Sequence, residues 1–150
     1  MKKSFFRLDT LLKMRKAHVS HIQRELAYSK QKFNQWEEKK RTLEQQITSL
    51  IDEMRQKRRE KNHGFQETYA QILEHLNLSF EQAKHTLAAQ EKQIQMQQER
   101  LKQAIQQRKL VEKIKEKHYA QWRVQTHQNE EALLDEVATS HTDPHFPGGA

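Results

Sequence analysis

A heptad pattern of apolar residues runs through the first part of the chain and limits what it can fold into. Alternating steps of three and four residues from Phe5 reach fifteen positions, of which twelve are apolar. They are Phe5, Leu8, Leu12, Arg15, Val19, Ile22, Leu26, Ser29, Phe33, Trp36, Lys40, Leu43, Ile47, Leu50 and Met54. Two apolar residues in every seven form the narrow seam of a coiled coil, whereas a helix of a globular domain shows a wider apolar face. This first seam predicts one long helix packed against a similar partner.

A second seam follows a break at Asn62-His63-Gly64. Nine of its twelve positions are apolar, and the exceptions are Gln90, Gln97 and Arg108. The twelve positions are Leu73, Leu76, Phe80, Ala83, Leu87, Gln90, Ile94, Gln97, Leu101, Ala104, Arg108 and Val111. Asn and Gly accept the left-handed backbone that ends helices, so the break predicts a turn. A short link cannot connect parallel helices. The predicted fold class is therefore all-α, an antiparallel two-helix coiled-coil hairpin with a disordered C-terminal tail.

The sequence also predicts the bounds and the register of this hairpin. The hairpin covers 1–138, with helix one at about 9–61, the turn at about 62–65, helix two at about 66–138, and the tail at 139–150, which holds both prolines. Asp9 is the predicted N-cap, with Ser4 as the alternative. Folding back at about residue 64 places Leu50 opposite about Leu78. The second helix then overhangs the first with an acidic segment.

The composition argues against an enzyme. The only glycines are Gly64, Gly148 and Gly149, and cysteine is absent, so phosphate-cradling loops, nucleophile elbows and thiolate metal sites are not expected. We expect no catalytic residue, no cofactor and no metal. The pair His18 and His21 lacks a third metal ligand, and His141, Asp143 and His145 in the tail give only a weak metal signal. No apolar run reaches the length of a membrane span, which favours a cytoplasmic protein.

Charge is unevenly distributed along the chain. Residues 1–61 carry 17 Lys and Arg against 8 Asp and Glu, whereas residues 124–150 carry five acidic residues and no Lys or Arg. A basic body with an acidic end is typical of an interaction protein. A nucleic-acid-binding coiled coil is the alternative, although no base-reading motif is present. A self-assembling filament would continue its heptads to both ends of the chain, which this sequence does not do.

Three segments resemble the flagellar export protein FliJ family. The segment from Phe5 to Arg15, FFRLDTLLKMR, resembles the start of the family. The segment from Arg108 to Trp122, RKLVEKIKEKHYAQW, is similar to its C-terminal Lys/Glu-rich helix that runs into an aromatic residue. The segment from Leu133 to Ala138, LLDEVA, resembles its acidic and apolar end. Thr10 stands where many members have proline. Injectisome homologues share the hairpin, so a virulence export system is a further alternative.

The resemblance implies a part of the type III flagellar export apparatus that is similar to the stalk of rotary ATPases. Its paired termini would lie in the pore of the hexameric export ATPase and stimulate it. Its other end would reach the cytoplasmic domain of the membrane export gate, and the protein would escort export chaperones. This role implies a cytoplasmic protein, peripheral at the inner membrane, with no direct nucleic-acid partner.

The resemblance locates two contact surfaces, and the residue types supply their chemistry. We expect the ATPase contact on charged residues of the paired termini, where the basic first turns would lie beside the acidic overhang. These residues are Arg7, Lys13, Arg15, Lys16, Glu130, Asp135 and Glu136. We expect the export-gate contact near the turn, on Tyr69, Ile72 and Leu76. Trp122 either packs on Phe5 or Leu8, or serves as an aromatic anchor for a partner.

Overall fold

Two long helices make up almost the whole of the described chain. The computed structural model describes residues 2–62 and 64–141, with the side chains of Lys2, Ser4 and His141 excepted. Helix α1 covers Lys2–Arg59 and helix α2 covers Gln66–His141. They pack against each other in antiparallel order, and the described residues include no strand. The predicted all-α hairpin is confirmed.

The two seams lie where the helices meet. All fifteen positions of the first seam and all twelve of the second are buried or half-buried. Polar residues at seam positions are enclosed as well, since Ser29 is 4% exposed and Gln97 is 8% exposed. A seam this narrow buries one stripe of each helix and leaves the remaining faces in solvent. The fold is thus a thin core between two largely exposed helices.

The first helix begins earlier than predicted. It begins at Lys2 instead of about residue 9, so Asp9 does not cap it. Asp9 instead forms an ion pair with Lys115 of α2, while Phe5 packs against aromatic residues of α2. These contacts with α2 explain why the first turns are helical without the predicted cap. At the other end of the chain, α2 continues to His141, three residues beyond the predicted bound, and the rest of the predicted tail lies outside the described residues.

A helix-ending motif at Lys61 forms the turn. Lys61 adopts the left-handed conformation with φ of 56°, and its amide donates to the carbonyl of Arg58 at 3.1 Å. The amide of Asn62 donates to the carbonyl of Lys57 at 3.1 Å. This pair of bonds is a Schellman motif. The break was predicted at Asn62-His63-Gly64, but the left-handed residue is Lys61, so α1 ends at Arg59; His63 lies outside the described residues.

The chain divides into two compact units. The terminal unit comprises Met1–Ala17 and Ile105–Ala150, and the turn unit comprises His18–Ala104. Among the described residues, the buried apolar residues of the terminal unit are Leu12 and Val111. Those of the turn unit are Val19, Ile22, Leu26, Leu43, Leu50, Phe65, Ala83, Leu87 and Ala104. The turn unit therefore holds most of the buried core.

The register of the turn unit differs from the predicted one. Leu78, the predicted partner of Leu50, is 59% exposed and lies outside the seam. The predicted alignment places Tyr69 opposite about residue 59, whereas Tyr69 bonds to Lys57 and Glu53, so the helices lie about one turn from that alignment. This register places Leu50 opposite about residues 73–76, a stretch whose seam residues Leu73 and Leu76 are half-buried.

A disulfide experiment checks this register. With cysteines at positions 50 and 76, oxidation should cross-link the chain within itself much faster than with cysteines at positions 50 and 78. The reason is that position 76 faces the seam and position 78 faces solvent. Non-reducing electrophoresis of dilute protein measures both rates, and faster closure of the 50 and 78 pair would restore the sequence-based register.

Candidate interaction surfaces

Aromatic side chains join the two helices of the terminal unit. The ring of Phe5 meets the rings of Tyr119 and Trp122 edge to face, with centroid distances of 6.5 and 6.3 Å. Tyr119 and Trp122 stack on each other at 5.9 Å. Trp122 remains 40% exposed and Tyr119 52% exposed. The first of the two alternatives for Trp122, packing on Phe5, is therefore observed, and part of the indole surface also faces solvent.

Two polar contacts join the same helices. Lys115 donates to the carboxylate of Asp9, and this hydrogen bond lowers the pKa of Asp9 below its usual value. The guanidinium of Arg15 donates through Nη1 to Oε1 of Gln107 at 2.8 Å. The Nε atom of Arg15 is buried without a hydrogen-bond partner among the described residues. Arg15, predicted as a partner contact, is thus half-buried at the seam and serves the packing of the hairpin.

The other predicted basic residues of the terminal unit are available to a partner. Arg7, Lys13 and Lys16 are all exposed. Residues 1–17 and 105–123 together carry twelve Lys and Arg against three Asp and Glu. This excess of positive charge attracts an anionic partner, and the range of the attraction becomes shorter as the ionic strength rises.

The acidic segment, defined here as residues 124–137, forms a separate surface. It is helical, and Thr126 is its only residue that is not exposed. Its apolar side chains are open to solvent, with Val124 at 58%, Leu133 at 64%, Leu134 at 67% and Val137 at 46% exposure. Glu130, Asp135 and Glu136 are exposed beside them.

The predicted acidic contacts lie further along α2 than the residues that α1 touches. Phe5 contacts Trp122, and Glu130 lies eight residues beyond Trp122, about 12 Å at the helical rise of 1.5 Å per residue. Helix α1 begins at Lys2, seven residues earlier than predicted, which brings its basic first turns close to the start of the acidic segment. The terminal unit therefore presents its basic and acidic residues one after the other along its length, and a joint contact of both with one partner stays a prediction.

A hydrogen-bond chain organises the turn unit next to Lys61. Nζ of Lys57 donates to the hydroxyl of Tyr69 at 2.6 Å, and this hydroxyl donates to Oε1 of Glu53 at 2.7 Å. The bond to Tyr69 raises the pKa of Lys57 above its usual value. The ring of Tyr69 also meets the buried ring of Phe65 edge to face at 5.4 Å. Tyr69, predicted as a gate contact, is half-buried and forms part of the internal structure of the turn.

Of the three predicted gate residues, Tyr69 and Leu76 are half-buried and Ile72 is exposed. Ile72 is 44% exposed, whereas Leu76 lies in the seam and is half-buried. Sequence reasoning missed an apolar groove nearby, which is lined by Met54, Ala70, Leu73, Glu74, Asn77, Leu78 and Glu81. Leu78 was missed because it was named only as the approximate register partner of Leu50. It could have been found from its position, which lies between the seam residues Leu76 and Phe80.

The histidines His18 and His21 belong to no metal site among the described residues. His18 and His21 are exposed, and Nε2 of His21 lies 2.9 Å from Oε1 of Glu25. Residues 2–62 and 64–141 hold no group of three or more potential metal ligands. Asp143 and His145, like the side chain of His141, lie outside the described part. No helix within the described ranges is long and apolar enough to cross a membrane.

A single substitution tests the internal role of Tyr69. Tyr69→Phe keeps the ring contact with Phe65 and removes both hydrogen bonds, so it should destabilise the turn unit by about 1–2 kcal/mol. Chemical denaturation measures the change. An equal effect of this substitution when Lys57 is already replaced by Met would show that the hydroxyl bonds contribute independently of Lys57.

These features define the protein as an all-α coiled-coil hairpin, whose exposed charged and apolar side chains lie on open helix surfaces. A family model described as flagellar FliJ protein matches residues 3–142, nearly the whole chain. The chain therefore belongs to the FliJ family, a non-enzymatic component of flagellar export. The resemblance predicted from three short segments is confirmed. No curated protein and no solved structure matches the chain.

Proposed function

We propose that the chain binds the hexameric ATPase of the flagellar export apparatus through its terminal unit and stimulates it. One observation carries this proposal: the terminal unit presents exposed charged side chains of both signs instead of a single enclosed apolar interface. One asymmetric hairpin cannot match six identical subunits at the same time. Long charged side chains suit such a ring because their pairs form and break easily, each contributing about 0.2–1 kcal/mol.

The proposed ATPase contact uses Arg7, Lys13 and Lys16 of α1 and Glu130, Asp135 and Glu136 of α2. All six are exposed. Arg15 was also predicted to contact the ATPase; it donates a hydrogen bond to Gln107, and its contact with the ATPase stays a prediction. Stimulation would arise because the chain binds the assembled ring better than the separate subunits, so that binding favours assembly.

A second contact, with the cytoplasmic domain of the membrane export gate, is proposed for the turn unit. It rests on Ile72, which is 44% exposed, and on the groove that contains Leu78. Apolar burial would contribute most of the affinity there, so salt should affect this contact less than the contact with the ATPase. The same family membership supports escort of export chaperones and a cytoplasmic location at the inner membrane.

A concentration series of the export ATPase, with and without the chain, tests the first contact. The chain alone should hydrolyse no nucleotide, and its addition should lower the ATPase concentration at which turnover reaches half of its maximum. The triple variant R7E/K13E/K16E should lose this effect while keeping its helicity. The matched control reverses three exposed cations of the turn unit, R24E/K30E/K92E, and should stimulate normally. Binding that leaves the concentration dependence unchanged would refute the proposal.

The gate contact has its own variant. Ile72→Ser should weaken binding to the purified gate domain and spare ATPase stimulation. Met96→Ser, at a residue of α2 that is 59% exposed, serves as the control for the loss of an exposed apolar side chain. If either variant reduced gate binding and ATPase stimulation equally, the assignment of the two contacts to two units would be wrong.

A further inference from the structure

The acidic segment is an amphipathic helix with an open apolar side. Leu133, Leu134 and Val137 follow helical spacing and are each at least 46% exposed. Four carboxylates surround them, and residues 124–137 contain no Lys or Arg. A surface of this kind fits a partner helix that carries exposed apolar side chains together with positive charge.

The terminal unit itself contains a surface with those properties. Lys3, Phe6, Arg7, Lys13 and Met14, here called the basic face, lie on the side of α1 that points away from the first seam. Phe6 is 75% exposed and Met14 is 63% exposed. No acidic side chain lies between them on this face, since the nearest one, Asp9, is paired with Lys115. The basic face therefore complements the acidic segment in charge and in apolar character.

The two surfaces cannot meet within one molecule. Helix α2 is continuous from Gln66 to His141, and this stretch contains no Gly or Pro at which it could reverse. The acidic segment therefore runs away from the basic face of its own chain. Only another molecule can bring a basic face against it.

We propose that two copies of this chain associate through the terminal unit, with the acidic segment of each on the basic face of the other. A two-fold arrangement makes both contacts at once and occupies both surfaces of each chain, so the assembly closes at a dimer. The lengths match, because fourteen residues of helix extend about 21 Å and the fifteen residues from Lys3 to Ala17 extend about 22 Å.

This dimer covers Arg7, Lys13, Glu130, Asp135 and Glu136, which the proposed function assigns to the ATPase. Self-association and ATPase binding would then exclude each other, and the dimer would be a resting form that the ATPase must separate. The dimer itself does not depend on the proposed function. Its test uses the chain alone, so a failure of one proposal can be told from a failure of the other.

Sedimentation velocity of the full chain over a concentration series tests the dimer. The wild-type chain should shift from monomer to dimer as its concentration rises, and about 0.5 M NaCl should weaken the association at least about ten-fold relative to about 0.05 M. The variant E130K/D135K/E136K, in which the acidic segment becomes basic, and the variant K3E/R7E/K13E, in which the basic face becomes acidic, should each remain monomeric. Mixed together, these two variants should form a heterodimer, because both contacts are attractive again.

Two more variants complete the experiment. L133S/L134S should also remain monomeric, and the control E74K/E91K/E99K, at exposed carboxylates of the turn unit, should dimerise like the wild type. A wild-type chain that stays monomeric at all concentrations would overturn the proposal, and would leave the acidic segment to a different protein. A dimer that survives both charge reversals, or variants that do not combine on mixing, would overturn it as well.

Discussion

Removing residues 124–150 is expected to abolish stimulation of the export ATPase while the rest of the chain stays folded. The acidic segment supplies all the predicted acidic contacts, and Thr126 is its only residue that is not exposed. Its loss therefore removes binding groups and almost no packing. The phenotype should be a loss of stimulation at every ATPase concentration, larger than the effect of any single charge reversal.

Thermal unfolding monitored by circular dichroism provides the control for this truncation. The midpoint should change little, because the contacts of Phe5 with Tyr119 and Trp122 remain. The variant E130Q/D135N/E136Q tests the carboxylates without shortening the helix. If the truncated chain stimulates the ATPase as well as the full chain does, the acidic segment plays no part in binding.

Replacing Val19 by Asp is expected to unfold most of the turn unit. Val19 is 3% exposed in the seam, where a carboxylate would be removed from water. The cost should be on the order of 4 kcal/mol, which is a large part of the total stability of a small domain. The neighbouring Ser20→Asp is the matched control, because Ser20 is exposed and a carboxylate there remains solvated.

The free energy of unfolding from urea titration measures both variants. Ser20→Asp should stay within about 0.5 kcal/mol of the wild type. A stability of Val19→Asp close to that of its control would mean that the first seam does not form the core. Since the loss depends on ionisation, Val19→Asp should recover part of its stability as the pH falls toward the pKa of the buried carboxyl.

Two side-chain pairs that join the helices, Asp9 with Lys115 and Lys57 with Tyr69, make the stability of the hairpin depend on pH. The first pair loses its contribution at low pH and the second at high pH. The pKa of Asp9 is lowered by Lys115, so its contribution is present above the unfolded pKa and is lost as the pH falls through the folded pKa. The pKa of Lys57 is raised by Tyr69, so its contribution is present below the unfolded pKa and is lost as the pH rises through the folded pKa. Both groups stabilise the hairpin near neutral pH.

The fold could be predicted from the sequence because a heptad pattern identifies the residues that pack between the two helices. Every seam position, including the polar residues Ser29 and Gln97, lies between the helices as the pattern predicted. The exact turn could not be predicted in the same way. Lys61 takes the left-handed position through main-chain hydrogen bonds, and lysine gives no signal for that conformation.

The candidate surfaces were predictable in residue type but not in arrangement. Arg7 and Lys13 are exposed, as charged residues outside a seam should be. The distance between the basic and acidic residues of the terminal unit depends on where α1 begins, and that depends on contacts between distant residues such as Phe5 and Trp122. The partial burial of Tyr69 likewise depends on Lys57 and Glu53, which the linear pattern does not connect.

A photo-crosslinking experiment with the export ATPase tests the central claim most directly. A photoreactive amino acid is placed at position 134 in the acidic segment, or at position 78 in the turn unit, which are exposed to a similar degree at 67% and 59%. Irradiation with the purified hexameric ATPase should cross-link the chain strongly from position 134 and little from position 78. Cross-linking to the ATPase from position 78 without any from position 134 would contradict the account.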